Sequence, residues 1–231
     1  MTWLTSFPQL KSAWLRELQR VIDDGFRSFT RSHGDMIEGL FSPLQTMLIW
    51  FERLLLGTPW LLVLAVVAAL AWGASRSLRV VIGSVLTLVL IGLFGMWDDT
   101  MKTISMVLAA TLLSIAIGLP LGILMARSQR VQRIISPILD IMQTMPSFVY
   151  LIPVVMLLGI GRVPGLIAVV IYALPPMIRL TNLGIRQVDR EVLEATDAFG
   201  SSAWQKLVKA QLPLALPTIM AGINQTIMMA L

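Results

Sequence analysis

The chain has 231 residues, of which 56% are hydrophobic and 13% are charged, and its mean hydropathy is +0.80. Because a soluble domain carries about 25% charged residues, this composition favours a membrane protein. The net charge of +5 does not indicate nucleic-acid binding, since the basic residues lie in short clusters between apolar runs, as is typical of membrane orientation. The absence of cysteine excludes disulfides, thiolate metal sites and thiol catalysis, and one histidine cannot build a histidine-based site.

The N-terminal region predicts two amphipathic helices and no cleavable signal peptide. Residues 10–29 place apolar side chains at helical spacing among charges. A second helix is expected to begin at Ser42 and Pro43, an N-cap followed by proline at the first helical position, with Gly34 separating the two. We expect residues 1–56 to form an extracytoplasmic or interfacial unit, either two packing helices or a scaffold element.

Apolar spans of about 20 residues follow, the length that a bilayer requires. They are predicted at 58–75, 79–97, 103–126, 137–158 and 164–183, with a sixth from Pro213 to Leu231. Because the sixth has no polar exit, we expect residues 57–231 to be a C-terminally incomplete transmembrane domain. Loops on one side hold nine lysines and arginines and those on the other side hold two, which places residues 185–213 in the cytoplasm and the N-terminus outside.

The charged segment 185–213 interrupts this membrane pattern. Acids lie early and lysines late, as suits a helix dipole, and Gly200 permits a sharp bend. The segment therefore predicts two short helices at an angle, with Ser201 or Ser202 capping the second and Pro213 marking re-entry into the bilayer. The alternative is an ordinary amphipathic connector.

Prolines in the later spans predict broken helices. Pro146 and Pro153 each remove a backbone donor and disturb the carbonyl four residues earlier, on Met142 and Val149. Such backbone survives in a membrane only where protein or a water-filled cavity covers it. The breaks therefore indicate either a transport path or kinks that helix packing accommodates. The candidate pathway residues are Gln143, Thr144, Pro146, Ser147, Tyr150, Pro153 and Asn224.

Two ionisable residues lie closest to membrane depth. Asp140 is expected in the first turn of a helix that starts at Ser136 and Pro137, where the dipole favours an acid, and Arg179 is expected to extend to the cytoplasmic surface. Gly118 and Gly122 favour close helix packing.

The segment 185–213 resembles the cytoplasmic EAA loop of binding-protein-dependent ABC importer permeases. It keeps the spacing E-A-x4-G-x11-L-P, while Thr196 replaces the second alanine of the family pattern and Ala210 replaces an isoleucine. By this resemblance the loop lies in a groove of the ATPase subunit. The residues that the resemblance assigns to ATPase coupling are Glu194, Ala195, Thr196, Phe199, Gly200, Leu212 and Pro213.

Residues 137–159, 174–181 and 217–226 are similar to permeases of glycine betaine, proline betaine and choline importers, and the similarity covers roughly 55–231. The resemblance implies an all-α membrane protein with the type I ABC importer transmembrane fold, a multi-span helical bundle with cytoplasmic coupling helices. It implies a homodimeric, multi-pass permease in the bacterial inner membrane that performs no chemistry and binds no cofactor or metal.

By the same resemblance, a cytoplasmic ATPase would hold ATP and Mg²⁺ and drive alternating access, and an extracytoplasmic solute-binding protein would deliver glycine betaine, proline betaine, carnitine or choline. The alternatives are an osmotically gated channel and a membrane scaffold, neither coupled to an ATPase. The chain has no Walker A loop and no hydrolase motif.

Overall fold

A computed structural model describes residues 12–231. Residues 10 and 11, the start of the first predicted helix, lie outside the described range. The described residues are helical and contain no strand, which confirms the all-α prediction. The helices are α1 (Ser12–Gly57), α2 (Trp60–Ser75), α3 (Leu78–Leu93), α4 (Trp97–Arg127), α5 (Gln129–Thr144), α6 (Phe148–Leu158), α7 (Arg162–Arg186), α8 (Arg190–Ala198), α9 (Ala203–Lys206) and α10 (Leu212–Ala230), with a π-helical turn (Leu207–Gln211) before α10.

The prediction of two N-terminal helices is wrong, because α1 continues through Gly34 and Pro43. The hydroxyl of Ser42 explains how the helix passes the proline. It donates to the carbonyl of Gly39 at 3.0 Å, the acceptor that the missing N–H of Pro43 leaves free. Ser42 therefore replaces a backbone hydrogen bond inside one helix and does not cap the start of a second helix.

The C-terminal part of α1 packs into the bundle. Leu48 is 4% exposed and lies in an apolar cluster with Ala109 of α4, Leu166 of α7 and Ala230 of α10. The carboxylate of Glu52 pairs with the guanidinium of Arg162 at the start of α7. These contacts attach the second half of α1 to the membrane helices; a domain boundary between residues 56 and 57 stays a prediction.

The span predictions need two corrections. α4, α7 and the continuous segment Ala203–Ala230 are long and apolar enough to cross a membrane, and counting each bent helix pair as one span raises the number to five. The span predicted at 79–97 ends early, as α3, because Gly95 has a φ of 75° and turns the chain into α4. The span predicted at 137–158 is broken into α5 and α6, which meet at 92°.

Small residues let the central helices α4, α7 and α10 approach closely, as Gly118 and Gly122 predict. A Cβ on Gly118 would lie 2.8 Å from Cγ of Met177, and one on Gly122 would lie 2.5 Å from Cβ of Thr181. A Cβ on Gly184 would lie 2.9 Å from Cβ of Thr218 on α10. This packing holds the three helices as one core.

The helix bundle has two opposite ends, which the termini of α4, α7 and α10 identify. Arg186, the last residue of α7, donates from Nη2 to the carbonyl of Met125 near the end of α4 at 2.9 Å, so α4 and α7 end together. α10 begins at that same end, beside the segment that follows α7. The α1 cluster, with Leu48 and Ala230, lies at the opposite end.

Candidate functional site

The segment between α7 and α10 forms a small helical projection, which we call the knob (residues 189–211). Asp189 starts α8 as its N-cap, accepting the backbone N–H of Glu191 at 3.0 Å. Ser202 starts α9 with a capping box, in which its hydroxyl accepts the N–H of Gln205 and the Gln205 side chain accepts the N–H of Ser202. The predicted cap on the second helix is thereby confirmed at Ser202.

Gly200 makes the bend between α8 and α9, as predicted. Its φ is 74°, in the left-handed region that favours glycine. The N–H of Gly200 donates to the carbonyl of Asp197 at 2.9 Å, and the N–H of Ser201 donates to the carbonyl of Thr196 at 3.1 Å. These two bonds are the Schellman motif, which satisfies the last carbonyls of α8 and fixes the direction in which α9 leaves.

Two contacts fix the knob internally and to the bundle. The ammonium of Lys206 pairs with the carboxylate of Asp197, which ties α9 to α8. Leu207 is 1% exposed and packs in an apolar cluster with Met177, Ile185 and Ala215. The knob is therefore held together by an ion pair and packs against the end of α7 and the start of α10.

The knob exposes large apolar side chains among its charged ones. Phe199 is 89% exposed and Trp204 is 66% exposed, and Val192 and Val208 of the same segment are also exposed. Large apolar side chains left in water mark a surface that another protein covers. Sequence reasoning missed Trp204, although a tryptophan inside a charged segment was a visible signal.

The predicted coupling residues fall into three groups. Glu194, Ala195 and Phe199 are exposed on the knob, whereas Thr196 is half-buried and its hydroxyl donates to the carbonyl of Leu193 at 2.7 Å. Gly200 forms the bend. Leu212 is half-buried against the core cluster and helps to attach the knob to the bundle, whereas Pro213 is exposed at the start of α10.

The π-helical turn before α10 has a local cause. Pro213 lacks an N–H and its ring crowds the carbonyl of Lys209, four residues earlier. The wider turn at Leu207–Gln211 accommodates this and lets the helix continue into the membrane segment.

The break between α5 and α6 is the second feature that the sequence singles out. Pro146 frees the carbonyl of Met142, and the hydroxyl of Tyr150 lies 3.1 Å from that carbonyl and 3.1 Å from the carbonyl of Met145. Tyr150 thus satisfies the backbone that the proline leaves open. Its hydroxyl contacts the backbone of the break, and a place for Tyr150 in the pathway lining stays a prediction.

Other pathway candidates are separated by the fold. Gln143, Thr144, Pro146 and Ser147 are exposed at the break, and Pro153 is exposed within α6. Asn224 is exposed on α10, which packs on α7 and α4. The candidates of α5 and α6 therefore lie at or near the break between these helices, whereas Asn224 lies on α10.

Replacing Tyr150 with phenylalanine is expected to lower the stability of the purified protein by about 1–3 kcal/mol, because the two carbonyls lose the single O–H donor that they share. Tyr172→Phe is the matched control, since no hydrogen bond of the Tyr172 hydroxyl is found among the side chains that the structure describes. Thermal unfolding in detergent measures both variants. Equal midpoints for the two variants would mean that Tyr150 does not hold the break.

The prediction for Asp140 is wrong. α5 begins at Gln129, capped by Ser128, and runs through Pro137, so Asp140 lies near the end of the helix and gains nothing from the dipole at its start. Its carboxylate instead accepts from Nη2 of Arg179 on α7. Arg179 is thus paired within the bundle, and does not extend freely to the surface.

Long apolar helices packed through small residues, with a projecting knob that exposes aromatic side chains, define a multi-pass helical membrane protein with a docking element. Residues 118–231 match the family described as binding-protein-dependent transport system inner membrane component. The chain belongs to this family, and its fold is that of the type I ABC importer transmembrane domain.

Curated relatives support the same placement. The chain is 50% identical over 196 residues to the glycine betaine/proline betaine transport system permease protein ProW of Escherichia coli (strain K12), covering 85% of this chain and 55% of that protein. It is 51% identical over 175 residues to the glycine betaine/carnitine transport permease protein GbuB of Listeria monocytogenes, covering 75% of this chain and 62% of that protein.

A third relative is covered more fully. The chain is 43% identical over 214 residues to the glycine betaine transport system permease protein OpuAB of Bacillus subtilis (strain 168), covering 93% of this chain and 76% of that protein. The chain spans less than two thirds of the length of the first two relatives.

Proposed function

We propose that the chain is the transmembrane permease subunit of an ATP-driven importer for betaine-type compatible solutes, with glycine betaine, proline betaine, carnitine and choline as the candidates. The observation that carries this proposal is the knob, a braced helical pair that exposes Phe199 and Trp204. A surface of this kind needs a protein partner, and a cytoplasmic ATPase subunit supplies one. The similar permeases ProW, GbuB and OpuAB belong to transport systems for glycine betaine, with proline betaine or carnitine in two of them, which supports the solute class.

The rest of the assembly follows from this role. The chain performs no catalysis; ATP and Mg²⁺ belong to the ATPase, and an extracytoplasmic binding protein delivers the solute. Two copies of the permease would enclose the path between them, with exposed residues at the α5–α6 break facing it. Alternating access then opens that path to one side of the membrane at a time.

The N-terminus is proposed to lie outside the cell. The charge bias of the loops supports this orientation. A second support is that the end of α1 packs with Leu166 and Ala230, at the end of the bundle opposite the knob. If the knob contacts an ATPase in the cytoplasm, the second half of α1 lies at the extracytoplasmic side of the membrane.

Phe199→Ala combined with Trp204→Ala is expected to weaken binding of the ATPase by about tenfold or more, because truncation of a buried interface aromatic costs about 2 kcal/mol or more. The full-length permease is expressed with its ATPase and purified through a tag on the permease, and bound ATPase is quantified. Phe94→Ala is the matched control, since Phe94 is 78% exposed and lies between α3 and α4 at the other end.

The same preparation tests the function. In proteoliposomes, the loaded binding protein is expected to stimulate ATP hydrolysis and glycine betaine is expected to accumulate inside. Solute flow that needs no ATPase would favour an osmotically gated channel, and absence of both flow and ATPase binding would favour a membrane scaffold.

A further inference from the structure

Helix α5 carries a stripe of exposed polar side chains. Asp140, Gln143, Thr144 and Ser147 follow one another at helical spacing, and all four are exposed. Their spacing places them on one side of the helix, or of its continuation into the break. We call these four residues the polar stripe.

The other sides of α5 are apolar. Leu139 is 2% exposed and packs in a cluster with Met125 and Ile178, which fixes the side of α5 that faces the bundle. Ile134 and Ile138 are exposed by 66% and 50% and occupy a different side from the polar stripe. The helix thus separates an exposed apolar side from an exposed polar side, and only the apolar side suits lipid.

The ion pair of Asp140 with Arg179 lies on this polar stripe. The Asp140 side chain is 62% exposed and the Arg179 side chain is 40% exposed. Arg179 precedes the end of α7 by seven residues, about 10 Å at 1.5 Å per residue, so the pair lies inside the span. Half-exposed charges at such depth are costly against lipid, and a water-filled cleft lowers that cost.

The guanidinium of Arg179 is also not fully used. Its Nη2 donates to Asp140, but Nε is buried and has no hydrogen-bond partner within residues 12–231. A guanidinium presents its donors as a planar fork that matches a carboxylate with two parallel bonds. Because Nε is buried, a second carboxylate can reach only the N–H groups of Nη1 and Nη2 on this partly exposed side chain.

We propose that Asp140 and Arg179 form a binding site for a zwitterionic solute on its way through the membrane. The solute's carboxylate binds the guanidinium of Arg179, and its quaternary ammonium, which has no N–H to donate, lies against the carboxylate of Asp140. This inference rests on the proposed function and deepens it by naming residues that contact the solute.

A zwitterionic solute keeps both charges of the Asp140–Arg179 pair neutralised. Removing one member of this half-exposed pair leaves the other charge unpaired at membrane depth, which is unfavourable. A zwitterion brings both charges at once, so it replaces each partner of the pair while no charge is left alone. When the solute leaves, Asp140 and Arg179 pair again. A neutral solute offers neither replacement and choline offers only the positive charge. The pair therefore selects for glycine betaine, proline betaine and carnitine, which carry both charges, over choline.

Uptake by the complete transporter in proteoliposomes tests the site, with saturating amounts of loaded binding protein. Arg179→Gln and Asp140→Asn are each expected to lower glycine betaine uptake per ATP hydrolysed by about tenfold or more, the loss typical of a charged hydrogen bond. Solute-stimulated ATP hydrolysis is expected to stay within about twofold, since the knob is unchanged. Asp99→Asn with Lys102→Gln is the control, because it removes an exposed ion pair on α4.

The doubly neutral variant, Asp140→Asn with Arg179→Gln, separates a solute site from a contact that only holds the two helices together. It leaves no unpaired charge, so full recovery of uptake in this variant overturns the proposal, whereas a solute site that has lost both charges stays impaired. Wild-type uptake in both single variants, or equal loss of uptake and ATP hydrolysis in an assembled complex, also overturns it. No glycine betaine uptake by the wild-type transporter would instead overturn the proposed function.

A second measurement does not depend on the charge variants. Because the chain has no cysteine, single cysteines report water access directly. Thr144→Cys is expected to react with a charged, water-soluble thiol reagent and to be protected by glycine betaine, whereas Ile138→Cys on the apolar side is expected to react slowly. Equal reaction at the two positions, or no protection at Thr144, would contradict a solute site on the polar stripe.

Discussion

Gly200→Val is expected to abolish ATP-driven uptake while the protein still inserts into the membrane. Gly200 has a φ of 74°, and a β-branched residue in that region costs about 1–3 kcal/mol. The cheapest relief is to abandon the left-handed turn, which breaks the hydrogen bonds from Gly200 to Asp197 and from Ser201 to Thr196. The angle between α8 and α9 is then no longer fixed, and the position of Phe199 relative to Trp204 changes.

The control for this variant is Gly200→Asn, since asparagine adopts the left-handed region more readily than other side chains. There is space for a side chain, because no atom lies within 4 Å of a Cβ placed on Gly200. We expect Gly200→Asn to retain most of the uptake. Membrane fractionation, ATPase co-purification and uptake are measured together, and wild-type uptake by Gly200→Val would refute the coupling role of the turn.

Gly122→Ala is expected to destabilise the bundle by about 1–3 kcal/mol, the usual cost of overpacking. A Cβ at this position would lie 2.5 Å from Cβ of Thr181 and 2.9 Å from the carbonyl oxygen of Ile178. Neither contact is with the flexible end of a side chain, so α4 and α7 must separate to make room. Thermal unfolding in detergent measures the loss, which we expect to be larger still for Gly122→Leu.

Gly83→Ala is the matched control for the same chemical change. Gly83 lies in α3, and no atom lies within 4 Å of a Cβ placed there. Alanine is favoured over glycine in a helix by about 1 kcal/mol, so this variant is expected to be as stable as the wild type or slightly more stable. If Gly122→Ala matched Gly83→Ala in stability, close packing of α4 on α7 would not hold the core.

The knob was predictable from sequence because its determinants are local. Gly200 and Ser202 act on neighbours within a few residues, and the structure places the bend and the cap where these residues require them. The small-residue contacts of Gly118 and Gly122 were predictable for a related reason, since a short motif implies a close approach. Such signals need no knowledge of the partner helix.

The errors arose where distant or unexpected partners decide the outcome. Nothing local to Asp140 indicates Arg179, which is 39 residues away in the chain. Pro43 looked like a helix start because the pattern of Ser42 and Pro43 fits an N-cap, yet the same hydroxyl serves equally well as a replacement donor to Gly39. Ser42 would act as an N-cap if the residues before it were not helical, and it acts as a donor to Gly39 because they are helical.

The π-helical turn has a mechanical consequence. It joins α9 to α10 so that Ala203–Ala230 runs as one helical segment of 28 residues. At 1.5 Å per residue this lever is about 42 Å long, and turning it by about 10° at the knob moves Ala230 by about 7 Å. Ala230 lies in the same apolar cluster as Leu48 of α1, so a small rotation of this segment at the knob would displace one wall of that cluster at the opposite end of the bundle.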